Sequence, residues 1–174
     1  VGELIPLLDG ALVEGEAATL DVARRVCAGQ RAMAPLWNVC AAAVADFAHA
    51  GRYASRRAEF DRAPRALARA PAAALRDALQ GVTRARVLTV SHSGSVARTL
   101  TVLAAEHPID VICSESLPGG EGLALARDLQ RAGVSAEVVA DALITTYLSN
   151  ATAVVVGADA LAAQWWTNKA GTYG

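Results

Sequence analysis

Two different hydrophobic patterns divide the chain into halves. In residues 1–80 the apolar positions recur at spacings of three and four, which is the pattern of amphipathic helices. The clearest helix opens with Pro35 in its first turn and ends before Gly51. Pro64 and Pro71 limit the length of any helix that precedes them, because proline lacks the N–H that a helix interior needs. Three further helices are therefore predicted, at Thr19–Ala28, Tyr53–Leu67 and Ala72–Leu79.

After Arg84 short apolar runs alternate with helical segments. Four runs are predicted to be strands: Val87–Val90, Ile109–Cys113, Ala136–Ala140 and Ala153–Val156. The helices between them are predicted at Val96–Glu106, Gly122–Ala132 and Ala142–Leu148. Strands that alternate with helices indicate crossover connections and a parallel sheet. The sequence thus predicts an α/β protein, with a helical domain at residues 1–84 followed by a Rossmann-like parallel-sheet domain at residues 85–174.

Composition narrows the range of functions. Sixteen basic and seventeen acidic side chains give a net charge of −1, so we expect no nucleic-acid partner. No apolar run approaches the roughly 20 residues of a membrane helix, and the N-terminus lacks the pattern of a signal peptide, so a cytoplasmic protein without a membrane partner is expected. Cys27, Cys40 and Cys113 lack metal-ligand spacing and are predicted to be reduced thiols, with no metal site.

Polar residues follow each predicted strand where it ends. They are Ser91-His92-Ser93, Ser114-Glu115-Ser116, Asp141 and Asp159. In an open parallel sheet, ligands bind just beyond the carboxyl ends of the strands. The four sets therefore predict a shared pocket at one edge of the sheet.

The segment Ser91–Ser95 has the composition of a phosphate-binding loop. Its small residues and Gly94 leave backbone N–H groups accessible at the start of a helix, where the helix dipole favours an anion. The alternative is that Ser95 only caps that helix. Neither G-x-G-x-x-G nor a G-K-[ST] sequence is present, so no nucleotide cofactor is predicted.

The C-terminal segment carries a specific resemblance. Gly157-Ala158-Asp159 and the later Asn168-Lys169-Ala170-Gly171-Thr172 resemble the GAD…NK-x-GT signature of the family that joins the initiation factor 2B regulatory subunits to the sugar-phosphate isomerases. These isomerases act on methylthioribose 1-phosphate and ribose 1,5-bisphosphate. The resemblance implies that Asp159 is a general acid/base and that Asn168 and Lys169 contact substrate, including its phosphate. It also implies a homodimer formed through the α/β domain, and further strands beyond Thr172, so that the fold is truncated at its C-terminus.

Two positions depart from the isomerase pattern. Ser91 occupies the place of the catalytic cysteine, and a serine hydroxyl is a far weaker acid than a thiol. Leu117 replaces an arginine in the E-[ST]-x-P pattern that begins at Glu115. Glu115 is predicted to accept hydrogen bonds either from sugar hydroxyls or from the N–H groups of its own turn. Asp141 either has the role of its family counterpart or caps the short helix after it.

These observations predict a protein that binds a phosphorylated sugar or a nucleoside monophosphate at the strand ends, either with or without isomerase turnover. Asp159 and Ser91 are the predicted catalytic residues. The predicted binding residues are His92, Ser93, Gly94, Ser95, Glu115, Asn168 and Lys169. The alternative is a non-catalytic regulatory subunit that resembles an initiation factor and acts through protein contacts.

Overall fold

The computed structural model describes residues 4–168, and its contacts divide them into two compact units. The helical unit contains the described residues up to Ala63 together with Ala158–Asn168. The sheet unit contains Pro64–Gly157. The first strand begins at Ala85, whereas the contacts divide between Ala63 and Pro64. The domain boundaries at residues 1–84 and 85–174 therefore stay a prediction.

Three helices and the first part of a fourth form the core of the helical unit. The helices are α1 (Leu4–Glu14), α2 (Glu16–Gly29), α3 (Ala34–Ala45) and α4 (Arg52–Ala78). Leu8, Val39 and Ala43 are fully buried between them. Tyr53 connects α4 to α1 and to the end of α3. Its hydroxyl donates to the Asp9 carboxylate at 3.0 Å, and its N–H donates to the Asp46 carboxylate at 2.9 Å. The second bond supports the start of α4. Helix α3 ends at Ala45, earlier than its sequence predicts.

Helix α4 runs unbroken through Pro64 and Pro71, so the prediction of two separate helices here was wrong. Each proline costs the helix about 3 kcal/mol relative to alanine. The surrounding residues are rich in alanine, which has the highest helix propensity, and Ala68 and Ala72 are buried. Local propensity and packing together outweigh the two missing hydrogen bonds.

A four-stranded parallel sheet organises the sheet unit, as the sequence predicts. Its strands are β1 (Ala85–Thr89), β2 (Ile109–Ser114), β3 (Ser135–Val139) and β4 (Ala153–Val154), in the order β3-β2-β1-β4. The intervening helices are α5 (Gly94–Ala104), α6 (Glu121–Arg131), a 3₁₀ turn (Asp141–Leu143) and α7 (Ile144–Leu148). Alternate strand residues such as Val87 and Val111 pack against Leu100 of α5 and Leu125 of α6. Strand β4 is shorter than predicted.

The strand order fixes where a ligand crevice can lie. The chain moves outward from β1 through β2 to β3, then returns to place β4 on the other side of β1. The direction of winding therefore reverses between β1 and β4, and in open α/β sheets the crevice for ligands forms at such a reversal.

The C-terminal part of the helical unit contains a hairpin that the sequence did not predict. Strands β5 (Ala160–Leu161) and β6 (Trp166–Thr167) pair in antiparallel fashion. Trp165 and Trp166 are exposed on it, with relative accessibilities of 58% and 38%. Within residues 4–168, no helix is both long enough and apolar enough to cross a membrane.

Candidate functional site

The parallel register brings the ends of β1, β2 and β3 to one edge of the sheet. Thr89 pairs with Cys113, and Ser114 pairs with Val139. The residues that follow these strands are therefore neighbours, and they are joined by hydrogen bonds. We call this edge, with its loops 91–95, 114–117 and 139–141, the rim.

Asp141 organises the loop after β2. Its carboxylate accepts hydrogen bonds from the Ser114 hydroxyl, from the Ser116 N–H at 2.8 Å and from the Leu117 N–H at 2.8 Å. Asp141 therefore holds the neighbouring loop in place across the rim. The sequence did not predict these bonds, and a family role for Asp141 stays a prediction.

Two serines on the rim have left-handed backbone conformations. Ser91 has φ 61° and Ser116 has φ 60°. Such conformations cost a non-glycine residue about 1–3 kcal/mol and persist only when the surroundings impose them. Here the Ser91 N–H donates to the Ser116 hydroxyl oxygen at 2.7 Å, and that hydroxyl lies 3.0 Å from the hydroxyl of Ser114. The chain of contacts from Asp141 through Ser114 and Ser116 to Ser91 fixes both loops.

The loop after β1 is built to expose N–H groups. Ser93 is the N-cap of α5, because its hydroxyl accepts from the Val96 N–H at 3.4 Å, so the alternative in which Ser95 is the cap was wrong. Gly94 and Ser95 instead form the first turn of α5. The N–H groups of a first turn have no acceptor within their own helix.

Gly157 closes the other side of this loop. It follows β4, and a Cβ atom there would lie 2.9 Å from both the Cβ and the hydroxyl oxygen of Ser93. Only glycine therefore lets the two segments approach this closely. Ser93, Gly94, Ser95 and Gly157 lie at the reversal between β1 and β4, and we call the space beside them the rim crevice.

Arg98 is a candidate site residue that sequence reasoning missed. Its guanidinium nitrogens lie 3.5 and 3.6 Å from the position that a Cβ of Gly94 would occupy. The side chain thus runs back along α5 to the positive end of the helix dipole, where a cation is unfavourable unless an anion is present. No carboxylate among the described side chains forms an ion pair with Arg98. The spacing of four residues between Gly94 and Arg98 was the available signal.

His92 and Glu115 also lie on the rim, but their contacts differ. The His92 Nε2 atom lies 3.0 Å from the Asp128 carboxylate on α6, a contact that lowers the pKa of Asp128. The Glu115 N–H donates to the Val139 carbonyl at 2.8 Å. Within residues 4–168, no residue donates to the carboxylate of Glu115, because the N–H groups of its turn bond to Asp141. The Glu115 carboxylate is therefore available to a ligand.

The cysteine nearest in sequence to the rim has an unreactive thiol. Cys113 is fully buried in β2, and burial raises its pKa to about 11. It therefore remains a protonated thiol at neutral pH and cannot replace the missing cysteine at position 91. Among the described residues, no group of three or more His, Cys, Asp or Glu side chains could hold a metal ion.

The remaining predicted site residues belong to the C-terminal segment. Asp159 and Asn168 lie in the helical unit. The Asp159 N–H donates to the Thr167 carbonyl at 2.8 Å, and its carbonyl accepts from the Ala34 N–H at 3.0 Å. Lys169 lies outside the described residues. The convergence of Asp159, Asn168 and Lys169 with Ser91 therefore stays a prediction.

Solved structures show similar folds. Translation initiation factor eIF-2B of Pyrococcus horikoshii OT3 gives a TM-score of 0.68 at 25% identity, over 83% of this chain and 52% of that one. The tetrameric eIF2B-beta2-delta2 complex from C. thermophilum gives a TM-score of 0.58 at 19% identity, over 91% of this chain and 58% of that one. The second likeness concerns the fold alone.

Sequence comparisons agree with this. The eIF-2B subunit 2-like proteins of Pyrococcus horikoshii and Pyrococcus furiosus are each 37% identical to this chain over 89 residues. The match covers 50% of this chain but only 32% of each relative. The model of the initiation factor 2 subunit family matches residues 62–174, which is more than half of the chain. The resemblance found in the sequence is thus confirmed, and the chain belongs to the initiation factor 2 subunit family.

Proposed function

We propose that this chain binds a phosphorylated sugar or a nucleoside monophosphate at the rim crevice. The observation that carries the proposal is the construction of the crevice at the winding reversal between β1 and β4. There the first turn of α5 begins after Ser93, and Gly157, which has no Cβ, lets the end of β4 approach Ser93 closely. A helix N-terminus with free N–H groups is a general anion site.

The neighbouring side chains suit the two ends of such a ligand. The N–H groups of Gly94 and Ser95 and the guanidinium of Arg98 would receive the phosphate, because charge-assisted bonds to phosphate are the strongest kind available here. The Glu115 carboxylate would accept hydrogen bonds from sugar hydroxyls. Asn168 and Lys169 would add an amide and an ammonium group, as the family signature implies.

Isomerase activity is proposed to be weak or absent. Aldose–ketose conversion moves hydrogen between neighbouring carbon atoms, and in the isomerases an aspartate and a cysteine share that work. This chain offers Asp159 for the first role and Ser91 for the second. The Ser91 hydroxyl is too weak an acid to take over the role of a thiol, and Cys113 is buried with a raised pKa.

A second candidate is a non-catalytic regulatory subunit that acts through protein contacts. Serine in place of the catalytic cysteine favours it, as do the names of the similar proteins, which describe translation initiation factors. In this case the rim would bind no sugar phosphate or nucleoside monophosphate. For either candidate the family resemblance implies a homodimer.

Thermal melting separates the two candidates. The probes are ribose 1,5-bisphosphate, methylthioribose 1-phosphate and AMP, each with its dephosphorylated counterpart. A ligand at 100 times its dissociation constant should add about 2.7 kcal/mol to the free energy of unfolding. Stabilisation by a phosphorylated probe but not by its dephosphorylated counterpart supports the rim site. If none of the probes stabilises the chain, the subunit that acts through protein contacts is favoured.

Two substitutions at one position locate the phosphate. Ser95→Asp places a carboxylate in the first turn of α5. There it stabilises the helix through the helix dipole but repels a phosphate. Binding should therefore be lost without loss of stability. Ser95→Ala is the matched control and should retain most of the binding, because the backbone N–H remains. Equal binding by both variants would place the phosphate elsewhere.

Three more variants test the residues carried over from the family. Lys169→Ala should weaken a phosphorylated probe by about one to two decades, since a hydrogen bond to a charged group contributes about 1.5–3 kcal/mol. Its dephosphorylated counterpart should be little affected. Ser91→Cys should raise isomerase turnover, and Asp159→Asn in that background should remove the gain. Strong wild-type turnover that survives Asp159→Asn would refute the assigned roles.

A further inference from the structure

An open apolar groove runs between α2 and α3 of the helical unit. Its cavity volume is about 740 Å³. The walls are mostly small apolar side chains and two thiols, including Ala23, Cys27, Cys40, Ala41, Val44 and Ala45. Burial and the neighbouring thiol of Cys27 raise the pKa of Cys40 to about 12, so its thiol stays neutral and behaves as an apolar group.

The positions that line the groove follow helical spacing. On α3 they are Trp37, Cys40, Ala41, Val44 and Ala45, which lie three, four, seven and eight residues from the first. Such a stripe is the face by which one helix packs on another. Because most of these side chains are small, a further helix could approach the backbones of α2 and α3 closely. Among the described residues of the helical unit, no such helix lies in the groove.

Trp37 has the features of an anchor for a partner. Its side chain is 47% exposed at the groove, and its indole N–H donates to the Gln30 carbonyl at 3.2 Å. The ring is therefore held in one orientation while its face remains accessible. Tryptophan and arginine are the residues most enriched among those that dominate the energy of protein interfaces.

The charges of the groove determine which helix would fit. Arg24 of α2 and Arg31 of the turn that follows α2 both line it, and no carboxylate among the described side chains forms an ion pair with either of them. None of the residues that line the groove is acidic. A second copy of this chain, docked groove to groove, would therefore bring four guanidinium groups together around an apolar interface without a counter-charge.

We infer that the groove between α2 and α3 binds an amphipathic helix of another protein, one that presents an apolar stripe bordered by acidic residues. The apolar stripe packs against the small side chains and Trp37. Its carboxylates pair with Arg24 and Arg31. This site lies entirely within the helical unit and does not depend on the rim crevice.

Synthetic peptides provide the probe. An acidic peptide longer than about 15 residues carries leucine at helical spacings of three and four, with glutamate along both borders of the stripe. A basic peptide has lysine at every glutamate position and is otherwise identical. Binding is followed by the fluorescence of Trp37 in the full chain with Trp165→Phe and Trp166→Phe, so that one indole remains of the three. The acidic peptide should bind and shift this fluorescence, and the basic peptide should bind much more weakly.

A charge swap tests the recognition. Arg24→Glu with Arg31→Glu should weaken the acidic peptide about tenfold and strengthen the basic one, because each exposed pair contributes up to a few-fold and reversal adds repulsion. Arg25→Glu is the control next to Arg24 on α2, since Arg25 does not line the groove and instead pairs with Asp21 at 2.8 Å. It should leave both affinities nearly unchanged.

The outcomes are distinct. Tight binding of the acidic peptide that inverts with the charge swap supports the inference. Equal binding of the two peptides, or binding of neither, overturns it. Dimerisation of the wild-type chain that is abolished by Ala41→Trp would also overturn it, because the groove would then bind a second copy. None of these results depends on whether a sugar phosphate binds at the rim.

Discussion

Removal of the Asp141 carboxylate should destabilise the sheet unit strongly. Asp141 accepts hydrogen bonds from the Ser114 hydroxyl and from the N–H groups of Ser116 and Leu117. A hydrogen bond to a charged group contributes about 1.5–3 kcal/mol. Leu117 is exposed, so water can replace its bond, whereas Ser114 and Ser116 are only 4% and 9% exposed. Two bonds at the lower end of that range predict a loss of about 3 kcal/mol in Asp141→Ala.

The loss should exceed that of a milder substitution at the same position. Asp141→Asn keeps one oxygen acceptor but loses the charge and replaces the other oxygen with a donor, so about half of the effect, roughly 1.5 kcal/mol, is expected. Glu137→Ala is the control on β3, since Glu137 is exposed, and it should stay within about 0.5 kcal/mol of wild type.

Equilibrium urea unfolding, followed by circular dichroism, measures all three variants. A linear extrapolation gives the free energy of unfolding, and unchanged slopes would show that the variants unfold from a similarly compact state. If Asp141→Ala matched the Glu137→Ala control, the carboxylate could not be what holds the loop after β2, and the reasoning from the rim hydrogen bonds would fail.

Three further predictions concern backbone and thiol positions. Gly122→Ala should lower the free energy of unfolding in urea by at least about 2 kcal/mol, because its Cβ would lie 1.6 Å from a carbonyl oxygen at the end of β2. Gly10→Ala is the control in the open interior of α1, and it should raise the free energy of unfolding by up to about 1 kcal/mol. Ser91→Gly should leave the free energy of unfolding unchanged or raise it by about 1 kcal/mol, since glycine has no strain at φ 61° in the folded state. A clear loss of stability would show that the serine hydroxyl has an unrecognised partner. In iodoacetamide labelling at pH 8, Cys113 should react only on unfolding, because burial both shields the thiol and raises its pKa to about 11. The half-buried Cys27 should react first. Early labelling of Cys113 would contradict the packing of β2.

Most elements of the fold were readable from local sequence. Apolar spacing indicated α2, α3, α5 and α6, and the alternation of strands with helices indicated a parallel sheet. These features depend on residues that are near each other in the chain, so periodicity records them. Helix α1 and the hairpin of β5 and β6 were not predicted. Helix α4 was predicted as two helices, because the effect of Pro64 and Pro71 depended on the burial of Ala68 and Ala72, which no local pattern displays.

The composition of the rim was likewise determined by sequence alone. Parallel strands end at one edge, so Ser91, Ser114, Glu115 and Asp141 had to be neighbours once the sheet was parallel. The tertiary structure alone decided what each of them does. Asp141 bonds to groups that lie 24 to 27 residues away in the chain, and the Ser91 N–H bonds to a hydroxyl 25 residues away. Such partners are set by strand register and loop conformation, which are properties of the folded chain and leave no mark in the local order of residues.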